Sequence, residues 1–197
     1  MTNTIIDLIR HGEPQGGRAY RGHSIDDPLS EKGWQQMWQA VAQSAPWQAI
    51  YSSPMIRCQA FAQALADKRE LPMSIVEPLK EVGFGTWEGR TPAQIQADDL
   101  QQYSDFYRDP VNLRPPGAEP LDKFIFRVSR AYDHIVSESC AQHILIVAHA
   151  GVIRAILSHV LNAPAESMYH IKINPAGISR VVQNELNTQI EFINSQL

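Results

Sequence analysis

Two histidines, each set at the end of an apolar run, carry the chemistry legible in this chain. Ile5-Ile6-Asp7-Leu8-Ile9 leads into Arg10-His11-Gly12-Glu13, and His143-Ile144-Leu145-Ile146-Val147-Ala148 leads into His149-Ala150-Gly151. Short β-branched runs of this kind read as buried parallel strands, and open α/β sheets place their ligand crevice at the carboxyl ends of such strands. Two strands therefore deliver Arg10, His11 and His149 to one sheet edge. A guanidinium is a permanently charged planar fork suited to phosphate oxygens, and a neutral imidazole beside it can attack phosphorus or move a proton. A cation close to His11 also disfavours the imidazolium form and so leaves a ring nitrogen free for attack. The combination points to phosphoryl transfer, with His11 as nucleophile, Arg10 as clamp and His149 donating to the group in flight.

A second clamp is expected from Arg57. Ser53-Pro54 reads as an N-cap followed by a first-turn proline, which puts Arg57 in the first turn of a helix whose amino end already favours anions. The departing alkoxide needs a proton, and a carboxylic acid is the obvious donor. By residue type alone Glu13, Glu77, Glu81 and Glu88 all qualify.

These residues fall into four motifs that, in this order, resemble those of the histidine phosphatase superfamily, which includes the phosphoglycerate mutases. The motifs are strand-R-H-G-E at residues 10–13, S-S-P-x-x-R at 52–57, L-x-E-x-x-x-G-x-x-E-G at 79–89 and V-x-H-[GA]-G at 147–151. The resemblance implies a three-layer α/β/α sandwich, phosphoglycerate mutase-like, around a mostly parallel central sheet, and a reaction through a phosphohistidine. It implies that Glu81 is the acid/base and that Arg57 reaches the phosphate; Glu88 is read as structural. The loop Tyr20 to Gly33 is similar in layout to that of the α-ribazole-5′-phosphate phosphatases of cobalamin biosynthesis, which places Arg21, Gly22 and His23 among the substrate contacts; Ala150, in the 147–151 motif, is expected to join them. His23 stands equally as an exposed loop histidine. Two departures are visible. Pro14-Gln15-Gly16-Gly17 replaces the stretch that in mutases supplies a serine and an asparagine, and Phe61 stands where the family often has threonine. The first departure, with a short lid, favours hydrolysis over phosphoryl return. A mutase, a broad sugar-phosphate phosphatase and a non-catalytic phospho-ligand-binding domain remain the alternatives.

The elements that position these residues alternate. A strand over about 4–10 feeds a long loop to Pro28; Ser30 caps a helix to about Ala45, on which Trp34 and Trp38 form a packing stripe. A strand at Ala49–Ser52, a helix from Ser53-Pro54 to Lys68-Arg69 and a strand at Ser74–Val76 follow. The polar, proline-broken segment 92–120 reads as a lid-like insert with two short helices, and a longer helix runs from Glu119-Pro120 to about Glu138. After the strand 143–148 come a helix over 152–162 and strands near 168–174 and 177–194. The whole of 1–197 is expected to form a single domain with its pocket over the first and fourth main strands.

Composition excludes several classes. Seventeen basic against twenty-one acidic residues give a net charge of −4, with no basic run to meet nucleic acid. Cys58 and Cys140 fit neither a disulfide framework nor a metal-ligand spacing and are expected as half-buried thiols. Arginines around the site would repel a cation, so neither a metal nor another cofactor is expected. No leader-like or membrane-spanning run is seen, and a cytoplasmic protein acting on a small-molecule phosphomonoester is expected. Formation of a homodimer is left open.

Overall fold

The apolar runs pair into one mixed sheet in a computed structural model, which describes residues 2–43 and 46–195. Its strands are β1 (Thr4–Arg10), β2 (Ala49–Ser52), β3 (Met73–Ile75), β4 (His143–Ala148), β5 (Ile178–Gln183) and β6 (Thr188–Ser195), in the spatial order β3-β2-β4-β1-β5-β6. The first four are parallel to one another; β5 is antiparallel to β1, and β6 to β5. The helices are α1 (Glu31–Ala40), α2 (Ile56–Arg69), α3 (Pro92–Asp98), α4 (Leu100–Arg108), α5 (Leu121–Glu138) and α6 (Ala150–Val160).

The period-2 alternation of a strand sorts the central residues onto two faces. Ile6 and Leu8 of β1 join Ile144 and Ile146 of β4 in packing against Phe124, Val128 and Tyr132 of α5 and Val152, Ile153 and Ile156 of α6. Ile9, Leu145 and Val147 point the other way, onto Met37 of α1 and Phe61, Ala62 and Leu65 of α2. Helices thus cover both faces, which is the expected three-layer sandwich. Each fully buried Leu, Ile or Phe here contributes about 1.5–3 kcal/mol of transfer free energy. Trp34 and Trp38 both pack on Phe61, with ring centroids 5.9 and 4.9 Å away. A third, smaller cluster of Trp87, Ile95 and Phe106 lies beneath α3 and α4.

Several elements differ from the sequence-based expectation. The segment 168–174 is not a strand: Ala165–His170 is a 3-10 turn, and the residues expected as one strand over 177–194 form the β5–β6 hairpin. Because β1 is already paired on both sides, by β4 and β5, no central ladder is open to the 168–174 segment. Ser30 does cap α1, accepting from the Gly33 amide at 3.0 Å, but the helix ends at Ala40. There the chain turns away and brings Trp47 under β1, where its Nε1 donates to Asp7. Residues 41–43 form a turn instead, and the last two residues of the expected helix, Ser44 and Ala45, lie outside the described residues. The Ser53-Pro54 helix start is also displaced. Ser53 extends the sheet by donating its amide to Val147, and α2 begins at Ile56, whose amide is capped from a distance by the Asp26 carboxylate (2.9 Å). Helix α6 starts two residues early, directly after His149. The two cysteines are not alike: Cys58 is buried and Cys140 exposed.

Candidate active site

The carboxyl ends of β1 and β4 open into a cavity of about 580 Å³ whose wall includes Arg10, His11, Arg21, Gly22, Arg57, Glu81 and Ala150. His11 sits one residue past β1, and its amide still donates to the Ala148 carbonyl of β4 (3.0 Å). Only 7% of its surface is exposed. Its Nδ1 lies 2.7 Å from the Gly12 carbonyl. A carbonyl can only accept, so this contact puts the proton on Nδ1 and leaves the Nε2 lone pair free in the neutral ring. Burial, and then the charges of Arg10 and Arg57, hold the imidazole well below its ordinary pKa and so keep it neutral. The strand-to-loop path here depends on a close crossing of backbones. A Cβ on Gly12 would lie 2.3 Å from the Gly33 carbonyl oxygen, so the R-H-G turn and the first turn of α1 meet only because side chains are absent.

The two clamp candidates, Arg57 buried and Arg10 partly buried, have donor capacity to spare. Arg57, 1% exposed, gives Nη2 to the Gly22 carbonyl (2.9 Å) and Nη1 to that of Ile25 (3.0 Å). Arg10 gives Nη1 to the Ile173 carbonyl (2.7 Å). In both residues Nε is buried and without a hydrogen-bond partner. Burial lowers the Arg10 pKa to about 10, with Glu81 acting in the opposite sense, and the group stays cationic at neutral pH. An anion held between the two arginines would satisfy donors that the fold leaves idle.

Glu81 reaches the cavity from the loop between β3 and α3. Its Oε1 accepts from the Val82 amide (3.0 Å) and its Oε2 from the Gly151 amide at the start of α6 (3.2 Å). A Cβ at position 151 would come within 2.2 Å of Glu81 Oε1, so the glycine of the H-A-G motif makes room for this carboxylate. The other carboxylates have different surroundings. Glu88 accepts from the Phe84 and Ser24 amides (2.7 and 3.0 Å), tying two loops together, while Glu13 pairs with Lys32 on the surface (2.9 Å).

His149 is brought next to His11, with ring centroids 5.2 Å apart, but it has no exposed surface and stands behind the cavity wall. Its Nε2 is 2.7 Å from Ser53 Oγ, and Cys58 Sγ lies 3.6 Å from the same atom. Burial, followed by Arg57, His11 and Arg10, keeps this ring neutral too. Arg21 lines the cavity while paired with Asp27 (2.8 Å). His23 does not line it; its Nδ1 donates to the Glu81 carbonyl from outside (3.1 Å).

Sequence reasoning overlooked Arg18, Arg154 and Lys172, which also line the cavity, together with Tyr20, Tyr107 and Tyr169. Arg154 follows Ala150 by one helical turn, a spacing that could have revealed it. Lys172 was hidden in a segment expected as a strand. A protein of net charge −4 thus presents six basic side chains to this cavity against Glu13 and Glu81. Among the described residues no group of three or more His, Cys, Asp or Glu side chains is arranged to hold a metal ion, and no helix is long and apolar enough to cross a membrane.

Comparison with known proteins adds a lineage to this geometry. Residues 6–196 match the family described as the histidine phosphatase superfamily, branch 1. An adenosylcobalamin/α-ribazole phosphatase of Salmonella typhimurium is 30% identical over 193 residues, covering 96% of this chain and 95% of the relative. The crystal structure of the α-ribazole phosphatase from Shigella flexneri superposes with a TM-score of 0.84 at 29% identity, covering 98% of this chain and 96% of the other. A mycobacterial glucosyl-3-phosphoglycerate phosphatase shares the fold, with a TM-score of 0.86 at 21% identity, covering 98% and 99%.

Proposed function

The chain belongs to the histidine phosphatase superfamily, and from that premise we propose that it hydrolyses a small phosphomonoester through a phosphohistidine on His11, with α-ribazole 5′-phosphate as the substrate. The observation that carries the mechanism is the neutral His11 ring, its proton held on Nδ1, beside two guanidinium groups with unspent donors. The Nε2 lone pair attacks phosphorus as the ester bond breaks, and Glu81 gives its proton to the departing oxygen. Glu81 then takes a proton from water, whose oxygen displaces His11 and releases inorganic phosphate. Arg10 and Arg57 neutralise the non-bridging oxygens in both halves. His149 backs the His11 ring from behind the wall, and its contact with the phosphoryl group requires the ring to turn from Ser53 into the cavity, while Arg21, Gly22 and Ala150 meet the substrate beyond the phosphate.

The substrate assignment is supported by the relatives that span nearly the whole chain and by the loop layout around Arg21. On this reading 1–197 acts as one domain, with the 92–120 segment as its lid. The Tyr20 and Tyr107 hydroxyls, 2.7 Å apart, join that segment to the loop after β1. The reading sets the protein in the cytoplasm, where a buried and an exposed thiol persist reduced, acting without metal and open to pairing as a homodimer. A panel of phosphomonoesters tests it. α-Ribazole 5′-phosphate should show the highest kcat/KM, ahead of 3-phosphoglycerate and phosphoserine, with activity unchanged by EDTA. Interconversion of phosphoglycerates faster than phosphate release would instead make the protein a mutase.

A further inference from the structure

A side-chain bracket outside the cavity controls where Glu81 stands. Arg127, in the second turn of α5, points at the back of the loop that carries Glu81. Its Nη1 donates to the carbonyls of Pro78 and Lys80 (2.8 Å to the latter), and its Nη2 to that of Glu81 itself (3.2 Å). The same guanidinium forms a two-pronged pair with Glu119, Nε to Oε1 at 2.8 Å and Nη2 to Oε2 at 2.9 Å. Glu119 closes the bracket on the far side of Glu81. Its Oε2 accepts from the Gly83 amide (3.2 Å), and its own amide donates to the Gly83 carbonyl (3.1 Å). His23 adds a second donor to the Glu81 carbonyl. The Arg127 and Glu119 side chains are 19% and 16% exposed, and neither residue lines the cavity.

We propose that Arg127, acting with Glu119, is a positioning residue for the proton-transfer step: it holds the backbone of residues 78–83 so that the Glu81 carboxylate meets the leaving oxygen. The proposal rests on the reading of Glu81 as the acid and goes beyond it. The loop has only a short 3-10 turn, Glu77–Leu79, before Glu81 and no sheet ladder of its own. Three donor contacts to the loop carbonyls from a rigid planar fork, itself fixed by two more to Glu119, replace that missing ladder. A misplacement of about 1 Å at a reacting group costs on the order of 100-fold in rate. Nothing in the bracket touches His11, Arg10 or Arg57, so substrate binding and nucleophilic attack are not its targets.

The experiment is single-turnover phosphoenzyme formation with an alkyl phosphate and with p-nitrophenyl phosphate, whose leaving group departs without a proton. It is run on wild type, Arg127→Met, Glu81→Gln and the double variant. Arg127→Met should slow the alkyl phosphate about 10- to 100-fold and p-nitrophenyl phosphate less than about threefold, with KM nearly unchanged. In the Glu81→Gln background the same change should cost less than about twofold, because the residue acts through the one already removed. Arg127→Lys, which keeps the charge but loses the fork, should fall between. It and Glu119→Gln carry the test if Arg127→Met does not fold. Equal slowing of both substrates by Arg127→Met, or its full loss repeated in the Glu81→Gln background, overturns the positioning role while leaving Glu81 as the acid. Equal slowing of both substrates by Glu81→Gln overturns the acid assignment and the proposal with it.

Discussion

Strands β1 and β4 bury charge in two places, and the two differ in how fully that charge is satisfied. In the middle of β1, Asp7 has no exposed surface, yet both of its oxygens accept hydrogen bonds. Arg180 donates from Nε (2.7 Å) and Nη2 (3.1 Å), His143 from Nε2 (2.8 Å) and Trp47 from Nε1 (2.8 Å). Burial by itself would raise the Asp7 pKa, but the hydrogen bonds from His143, Arg180 and Trp47 outweigh it and hold the carboxyl below its ordinary value. Three residues further along, Arg10 is partly buried and Arg57, beside the same cavity, almost fully so, and both keep an Nε donor with no partner. A satisfied buried charge belongs to the fold; an unsatisfied one beside a cavity waits for a ligand.

The sharpest way to break this distinction is to remove a group from each cluster and measure activity and stability together. His11→Ala should lower kcat by about 10⁴-fold or more, since the nucleophile has no substitute, and acid-free quenching should no longer trap phosphate on the protein. A phosphoprotein that survives the substitution would move the nucleophile elsewhere. Asp7→Ala should do the reverse. It strands Trp47, His143 and Arg180, and urea titration should show a loss of about 3–5 kcal/mol, while kcat/KM of the folded fraction stays near wild type. Arg57→Met should cost on the order of 10²–10³-fold in kcat/KM and less than half the stability lost by Asp7→Ala, because it exchanges an incompletely satisfied buried charge for an apolar stem. If Arg57→Met proves the more destabilising of the two, the difference between the clusters is not one of satisfaction.

The smallest effects are in the pH dependence of stability, and they should separate the clusters by window. His11 and His149 are held below their ordinary pKa in the folded protein. The unfolded chain therefore binds more protons as pH falls through about 6.5, and stability declines across that range. The Asp7 contribution is present above about pH 4 and is lost only as pH falls further, through the depressed folded value. Urea midpoints at pH 7, 5.5 and 3.5 should show a flattened upper window in His149→Gln and a flattened lower one in Asp7→Asn. A flattened upper window in Asp7→Asn would mean that the clusters titrate as one.

Much of the site could be read without coordinates because its chemistry is tied to strand ends. A run of β-branched residues followed by a polar one announces where a strand stops, and the two strands carrying His11 and His149 had to be neighbours for the pair to meet; the β1–β4 pairing makes them so. Fold class followed from the same alternation. The acid was less accessible. Residue type left four carboxylates open, and only resemblance singled out Glu81; the structure brings Glu81 to the cavity through amides of Val82 and Gly151 that lie in two separate segments. His23, read equally as a substrate contact and as an exposed loop histidine, faces the back of Glu81 instead of the cavity.

What the sequence by itself determined are the local facts: the period of each strand, the Ser30 cap, the amphipathic faces of α5, and the types of group able to hold a phosphate. These depend on neighbours a few residues apart, where backbone geometry fixes who meets whom. Tertiary structure alone decided the rest. Asp26 caps α2 from thirty residues away, Asp7 becomes a charge hub only when Trp47, His143 and Arg180 converge on it, and Arg127 reaches the Glu81 loop from forty-six residues downstream. Such contacts follow from how layers stack on the sheet. The free energy that selects them comes from burying whole faces, which no short window of residues contains.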